Sequence, residues 1–397
     1  MTSVKFPNKR MSSIKMSGGI REILSRANEL EKEGRSIIHM EIGRPDFDSP
    51  ACAKEAVKSA LDSGDVHYTN MQGTEELREA VAEKYRRENN MQANAQRSVV
   101  ITNGAMEAIT ASLLTILDPG DEIIVPSPYF SAYADEIALT GAVMVNVPTS
   151  MERGFALSAD DIAKAITPRT KAILINTPNN PSGAVLTRGN LEEIAALAIS
   201  KDLLVISDEC YEKFLYEGEH VSIGSFKGME ERTVTVSAAS KTWSMTGWRI
   251  GWAVSPEEMT PYLNKCHQNL TTCANSFAQA GVAAAFAHAD GDVKKMIAEY
   301  GRRRDMVAQW IGRIEGFEAI KPAGAFYAFP RISSLNMDGF KFCSWLLENA
   351  GVSVVQGEVF GAAGHIRIAY CREYDYIEEG MRRIKEAVDG LRAGSRK

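Results

Sequence analysis

The middle of the chain alternates short, nearly continuous apolar runs with helical stretches, and this pattern constrains the fold more than any other feature. The runs are Ser98–Ile101, Glu122–Val125, Val143–Val147, Ala172–Ile175, Leu203–Ser207, Thr233–Ser237 and Ile250–Val254. Apolar runs without polar alternation suit strands covered on both faces. Strand alternating with helix predicts an α/β domain on a mainly parallel, seven-stranded sheet. Upstream, a periodic pattern over Gly19–Glu33, stopped by Gly34, predicts a helix. Ile37–Ile42 predicts a short strand running into the turn cluster GRPDFDSP, and helices are expected near 51–63 and 74–90. Beyond about residue 275 the pattern turns helical. It then gives Gly324–Phe329, a helix near 340–350, the strands Val352–Val355 and His365–Ala369, and a last helix from about 373. The expected organisation is a large domain over 45–285 and a smaller α+β domain formed by 1–44 together with 286–397.

Composition removes several classes. At 397 residues the chain is too long for one compact core. Lys+Arg number 45 against 51 Asp+Glu, a net charge of −6, which argues against a nucleic-acid binder. The six cysteines form no CxxC pair and do not cluster with histidine at metal-ligand spacing, so reduced thiols in a cytoplasmic protein, with no metal, are expected. The first twenty residues are polar and basic, unlike a secretory signal, and no apolar run is long enough to span a membrane.

Four of the predicted strands run into polar loops. Thr102-Asn103-Gly104-Ala105-Met106 opens a helix, and small residues there let backbone N–H groups cradle a phosphate. Asn176-Thr177-Pro178-Asn179-Asn180-Pro181-Ser182-Gly183 makes a rigid turn, structural or ligand-facing. Asp208 ends an apolar strand in DECY; taken alone it reads as an N-cap for a following helix. A half-buried carboxylate also needs a partner. Lys241 lies amid small residues in SAASKTW, with Trp248-Arg249 beyond. An isolated lysine is ordinarily solvated, but one desolvated in such a setting loses basicity and becomes a nucleophile. Polar loops at the carboxyl ends of strands in one open α/β sheet converge on one crevice.

The stretches EIGRPDFDSP, VHYTNMQGTEELREA, TNGAMEA, INTPNNPSGAV, VISDECYEKFLY, SKTWSMTGWRIGW and HIRIAY occur in this order from about Ile20 to the last helix. Together they resemble fold-type I pyridoxal-phosphate enzymes. The chain is most similar to the class I/II aminotransferases, in particular the compact bacterial aspartate, aromatic and kynurenine-type subgroup. The resemblance implies pyridoxal 5′-phosphate held covalently by Lys241, which also shuttles a proton between substrate and cofactor. Asp208 corresponds to the partner of the pyridine nitrogen, and Tyr211 and Asn180 to the partners of the ring 3-oxygen. Phe130 corresponds to the aromatic stacked on the ring, with Tyr129 competing. Arg249 corresponds to the phosphate ligand, together with the Gly104, Ala105 and Met106 amides. Tyr68 matches a tyrosine that reaches the neighbouring subunit's phosphate, which implies a homodimer with shared sites. Arg367 matches the arginine that grips the substrate α-carboxylate with a bidentate fork, and Gly43 brings the N-terminal backbone to the same substrate.

Two departures stand out. Relatives carry Ser or Gly where this chain has Ala238, so Ser237 or Ser240 is expected to serve instead. Relatives that take aspartate or prephenate carry lysine where this chain has Met106. That favours neutral or aromatic donors, with glutamate as a further candidate. Ser17–Ile20, Tyr129 and Tyr327 are expected to line the side-chain pocket. The expected function is amino transfer from an L-amino acid to a 2-oxo acid by a ping-pong route. The alternatives are aspartate aminotransferase and a β-lyase or synthase on the same scaffold. A regulator that kept the fold would need an appended DNA-binding segment, and no spare basic segment is present.

Overall fold

The computed structural model describes residues 7–14, 20–335 and 337–395. The seven apolar runs form one sheet. Its strands are β1 (Val99–Thr102), β2 (Glu122–Ser127), β3 (Val143–Pro148), β4 (Thr170–Asn176), β5 (Leu204–Asp208), β6 (Thr233–Ala238) and β7 (Gly251–Val254). Their order is β1-β7-β6-β5-β4-β2-β3. Neighbours run parallel except β7, which is antiparallel to both β1 and β6. Alternate residues feed opposite faces: Ile123 and Val125 of β2 pack with Ile109 and Tyr133, while Ile124 packs with Leu191 and Ile194 of the helix Arg188–Ser200. Burial on both faces explains why the runs lack alternation. The edge strand β3 is the exception. It exposes Val143, carries Asn146 and ends in Pro148, as an edge permits.

The chain's two ends meet beside this sheet. Ile38–His39 pairs in parallel with Val352–Ser353. A second small sheet, antiparallel, places Ile366–Ala369 between Val355–Gln356 and Tyr327–Ala328. The strand expected over Val352–Val355 is therefore split: its first half pairs with one segment and its second half with another. The strand expected over Ile37–Ile42 is cut to Ile38–His39 for a related reason. Met40 still bonds to both Ser353 and Ala369. Beyond it, the carbonyls of Glu41 and Gly43 accept from Arg367 and Lys241 side chains instead of from a neighbouring strand. No described helix is long and apolar enough to cross a membrane.

Candidate active site

β1, β2, β4, β5 and β6 all point their carboxyl ends to the same edge of the sheet. The loops there, with Glu41–Gly43 and the strand Ile366–Ala369, enclose a cavity of about 340 Å³. Its lining includes Gly43, Ala105, Met106, Phe130, Asn180, Asp208, Tyr211, Ser240, Lys241, Arg249 and Arg367, together with Tyr327. A larger cavity, about 560 Å³, lies on the far side of Thr242 and Trp243 and holds none of these residues.

Lys241 sits in a single helical turn, Ala239–Thr242, directly after β6. Its Nζ donates to the Gly43 carbonyl at 2.8 Å. Burial pushes its ammonium below the ordinary lysine range, and Arg367 and Arg249 push the same way. Gly43 must be glycine, because a Cβ there would run into the Tyr327 ring.

Asp208 ends β5 and is 5% exposed. Its Oδ1 accepts the Cys210 N–H at 3.1 Å and its Oδ2 accepts the Tyr133 hydroxyl at 2.5 Å. No helix follows, so the N-cap role is not realised; residues 210–213 form turns. Burial raises the carboxyl's pKa, while the Tyr133 and Cys210 bonds oppose the rise. Among the described residues it has no ion-pair partner. A buried carboxylate in that state is incomplete without a cation. Tyr211 shares a hydrogen bond with Tyr327, oxygen to oxygen, at 2.9 Å.

Arg367 is carried on Ile366–Ala369, whose Ile366 and Ile368 turn into the core. It is 5% exposed. Nη1 donates to Asn180 Oδ1 at 3.0 Å, and Nη2 donates to the Glu41 carbonyl at 2.5 Å. Its guanidinium lies over the rings of Tyr327 and Phe360, while Nε is buried without a partner.

Gly104 precedes the helix Ala105–Ile116 with φ 88°, and a Cβ there would lie 2.5 Å from Arg249 Nη2. The arginine, itself exposed, donates to the carbonyls of Thr246 at 3.1 Å and Asn103 at 3.2 Å. Positive guanidinium and the unbonded amides of a first helical turn thus share one corner.

The alternatives left open by the sequence separate in space. Phe130 lines the main cavity, whereas Tyr129 lines a small cavity of about 30 Å³ beside it. Ser240 lines the main cavity, as does Ala238; Ser237 is fully buried and its hydroxyl faces the Glu209 carbonyl. Tyr68 is 83% exposed and outside the lining. Ser17, Gly18 and Gly19 lie outside the described residues. Two contributors carry no sequence signal of the kind used above. Glu41 offers only its carbonyl, which no side-chain pattern reveals. Tyr133 lies within a helix, three residues past Phe130, and that spacing is the one clue to it.

The family described as aminotransferase class I and II matches residues 35–384. This chain belongs to that family. It is 41% identical over 374 residues to aromatic-amino-acid aminotransferase 2 of Thermococcus litoralis, covering 93% of this chain and 95% of that one. It is 38% identical to the aspartate/prephenate aminotransferase of Thermus thermophilus, covering 96% and 98%. A solved double mutant of Thermus thermophilus aspartate aminotransferase superposes with TM-score 0.93 at 37% identity, covering 97% of this chain and all of the other. The fold is that of the fold-type I aminotransferases, and the protein is an aminotransferase.

Proposed function

We propose that this aminotransferase holds pyridoxal 5′-phosphate on Lys241 and moves the amino group of a neutral or aromatic L-amino acid to a 2-oxo acid. The observation that carries the reading is the convergence of Lys241, Asp208 and Arg367 on one cavity from three separate segments. The residues present fit the cofactor on the structure's own terms. Asp208 lacks a cation that a protonated ring nitrogen would provide. The missing Cβ at Gly104 lets the Arg249 guanidinium lie against the start of the helix Ala105–Ile116, where a phosphate would meet both.

When bound, the cofactor would supply an electron sink for the charge left as the substrate Cα loses its proton. Lys241, whose basicity burial lowers, would hold the cofactor covalently and, once released, would be the group to accept the substrate Cα proton. Asp208 would be the charge partner that keeps a proton on the ring nitrogen. Tyr211 and Asn180 would bond the ring 3-oxygen, and Phe130 would cover one face. Arg249 and the Ala105 and Met106 amides, with Ser240, would take the phosphate, whereas the Gly104 N–H expected to join them donates to the Thr102 carbonyl at 2.9 Å. Arg367 takes the substrate α-carboxylate, and its unpartnered Nε is the position a carboxylate would complete. Residues 45–285 act as the cofactor-holding domain, and 1–44 with 286–397 as the smaller one.

The donor preference rests on counting cations. The lining contains Lys241, Arg249 and Arg367, each already assigned, and its remaining walls include Ile42, Met106 and Ile109. Among the described lining residues none is left to meet a distal carboxylate. We assign Tyr68, which is exposed in the single chain, to the phosphate of a second copy in a homodimer. The cytoplasm, with its reduced thiols, is the compartment that suits six free cysteines.

The test is the visible absorption of the purified holoenzyme, titrated with single amino acids. Loss of the yellow band with one equivalent of 2-oxo acid released per site is expected, and phenylalanine, tyrosine or leucine should be effective at lower concentration than aspartate. Release of ammonia or sulfide with the band retained would replace amino transfer by a lyase reaction. Preference for aspartate would remove the argument from Met106.

Arg367→Lys is expected to raise the amino-acid KM roughly 10- to 100-fold, because a point charge cannot reproduce the planar fork. Cofactor affinity should change little. Steady-state kinetics beside cofactor titration checks this, and equal loss of both would make Arg367 a structural residue.

A further inference from the structure

We propose that Tyr133 is a positioning residue for the reaction: its hydroxyl fixes one oxygen of Asp208 while its ring seats Phe130. One helix residue would thereby set both the charge partner and the stacking face of a ring bound in the cavity. The proposal rests on the role assigned above to Asp208.

Tyr133 lies near the start of the helix Ala132–Thr140 and is 1% exposed. Its hydroxyl has one acceptor, Asp208 Oδ2 at 2.5 Å. Its ring meets Phe130 edge to face, with centroids 5.5 Å apart and planes at 87°. Phe130 and Asp208 both line the cavity; Tyr133 stands behind them and is not part of that lining. Burial, and then the charge of Asp208, holds the phenol far above its ordinary pKa, so it remains a donor.

The consequence concerns where one proton resides. A hydrogen bond donated to a carboxylate makes it a weaker base. When Asp208 bonds to a ring nitrogen, the shared proton then stays on the nitrogen, which strengthens the electron sink. The Tyr133 hydroxyl bonds Oδ2, and Cys210, through its amide to Oδ1, is the carboxylate's other partner. The next acidic side chain on the same helix face supports this allocation. Glu136, one turn on, is 3% exposed and accepts from Thr110 at 3.2 Å. Burial raises its pKa well above the carboxylate range, which disfavours a second negative charge near Asp208.

The experiment uses the holoenzyme reconstituted with cofactor labelled with nitrogen-15 in the ring, read by NMR. Tyr133→Phe keeps the ring and removes only the hydroxyl. The nitrogen resonance should move toward its unprotonated position, and kcat should fall roughly 10- to 100-fold, as for loss of a hydrogen bond to a buried charge. The amino-acid KM should change by less than about threefold, because no contact to substrate is lost. An unmoved resonance, whatever happens to kcat, overturns the proposal and leaves Tyr133 a packing residue. Asp208→Asn is measured alongside. If it too leaves the resonance unmoved, the fault lies in the assignment of Asp208 and not in Tyr133 alone. Should Tyr133→Phe fail to fold, Tyr133→3-fluorotyrosine retains the shape and makes a stronger donor. The nitrogen resonance should then move further toward its protonated position, and no such move overturns the proposal.

Discussion

Lys241→Ala is expected to lower turnover by at least about 10⁴-fold, since it removes both the covalent anchor and the proton carrier. The lysine-linked band of the holoenzyme should give way to that of the unlinked aldehyde, and borohydride reduction should no longer label the peptide around residue 241 by mass spectrometry. The fold should survive. The side chain's one bond is to the Gly43 carbonyl, and its nearest ring is Phe326, with Nζ 5.9 Å from the centroid. Removing a buried amine therefore leaves one carbonyl without a donor, at a cost of about 1–3 kcal/mol, and spares the enzyme the desolvation that now depresses the lysine's basicity. Full turnover in the variant would sink the assignment. Retained cofactor with no turnover is the expected pattern, because Arg249 and the Gly104 corner are untouched.

Strand ends are the part of the site most legible in the sequence. In a parallel sheet, a residue that closes an apolar run, or stands in the loop just after it, lies at the carboxyl edge; Asp208 is readable for the first reason, Lys241 and Asn180 for the second. Arg367 is readable because it is the one charge in an apolar strand. The pleat sends Ile366 and Ile368 to the core and the arginine to the opposite side. The same pleat resolves Ser237 from Ser240: the first is still within β6 and turns away, and the second belongs to the helical turn that faces the cavity. The small sheets are less legible. Strands of two residues, such as Val352–Ser353 and Val355–Gln356, have no periodicity to read, and their partners lie more than three hundred residues away in one case. Tyr133 is hidden for another reason: it is the second residue of the helix Ala132–Thr140, six residues beyond the strand end at Ser127.

Asp208→Asn separates catalysis from stability, since the two should move in opposite directions. Turnover should fall roughly 10²–10³-fold, the scale set by losing a preorganised charge in a water-poor site. Asparagine holds no formal charge, so nothing keeps the ring nitrogen protonated. Cofactor should still bind through Lys241 and the Arg249 corner. The cofactor-free protein should behave differently. Burial raises the Asp208 pKa in the fold above its unfolded value, so the folded state binds that proton more tightly. Stability contributed by the protonated acid is then present at low pH and lost as pH rises from the ordinary carboxylate range to the raised value. Asparagine has the same shape and keeps one of the two accepted bonds, from Tyr133 or from the Cys210 N–H, at a pH-independent cost, but it buries no charge and so pays no pH-dependent penalty. The variant's melting temperature, taken relative to the parent's without cofactor, should therefore climb from about pH 4 toward neutrality. A difference that stayed flat with pH would mean that the parent's Asp208 is ionised at no cost. The cation it needs would then be supplied within the protein and not by a bound ring.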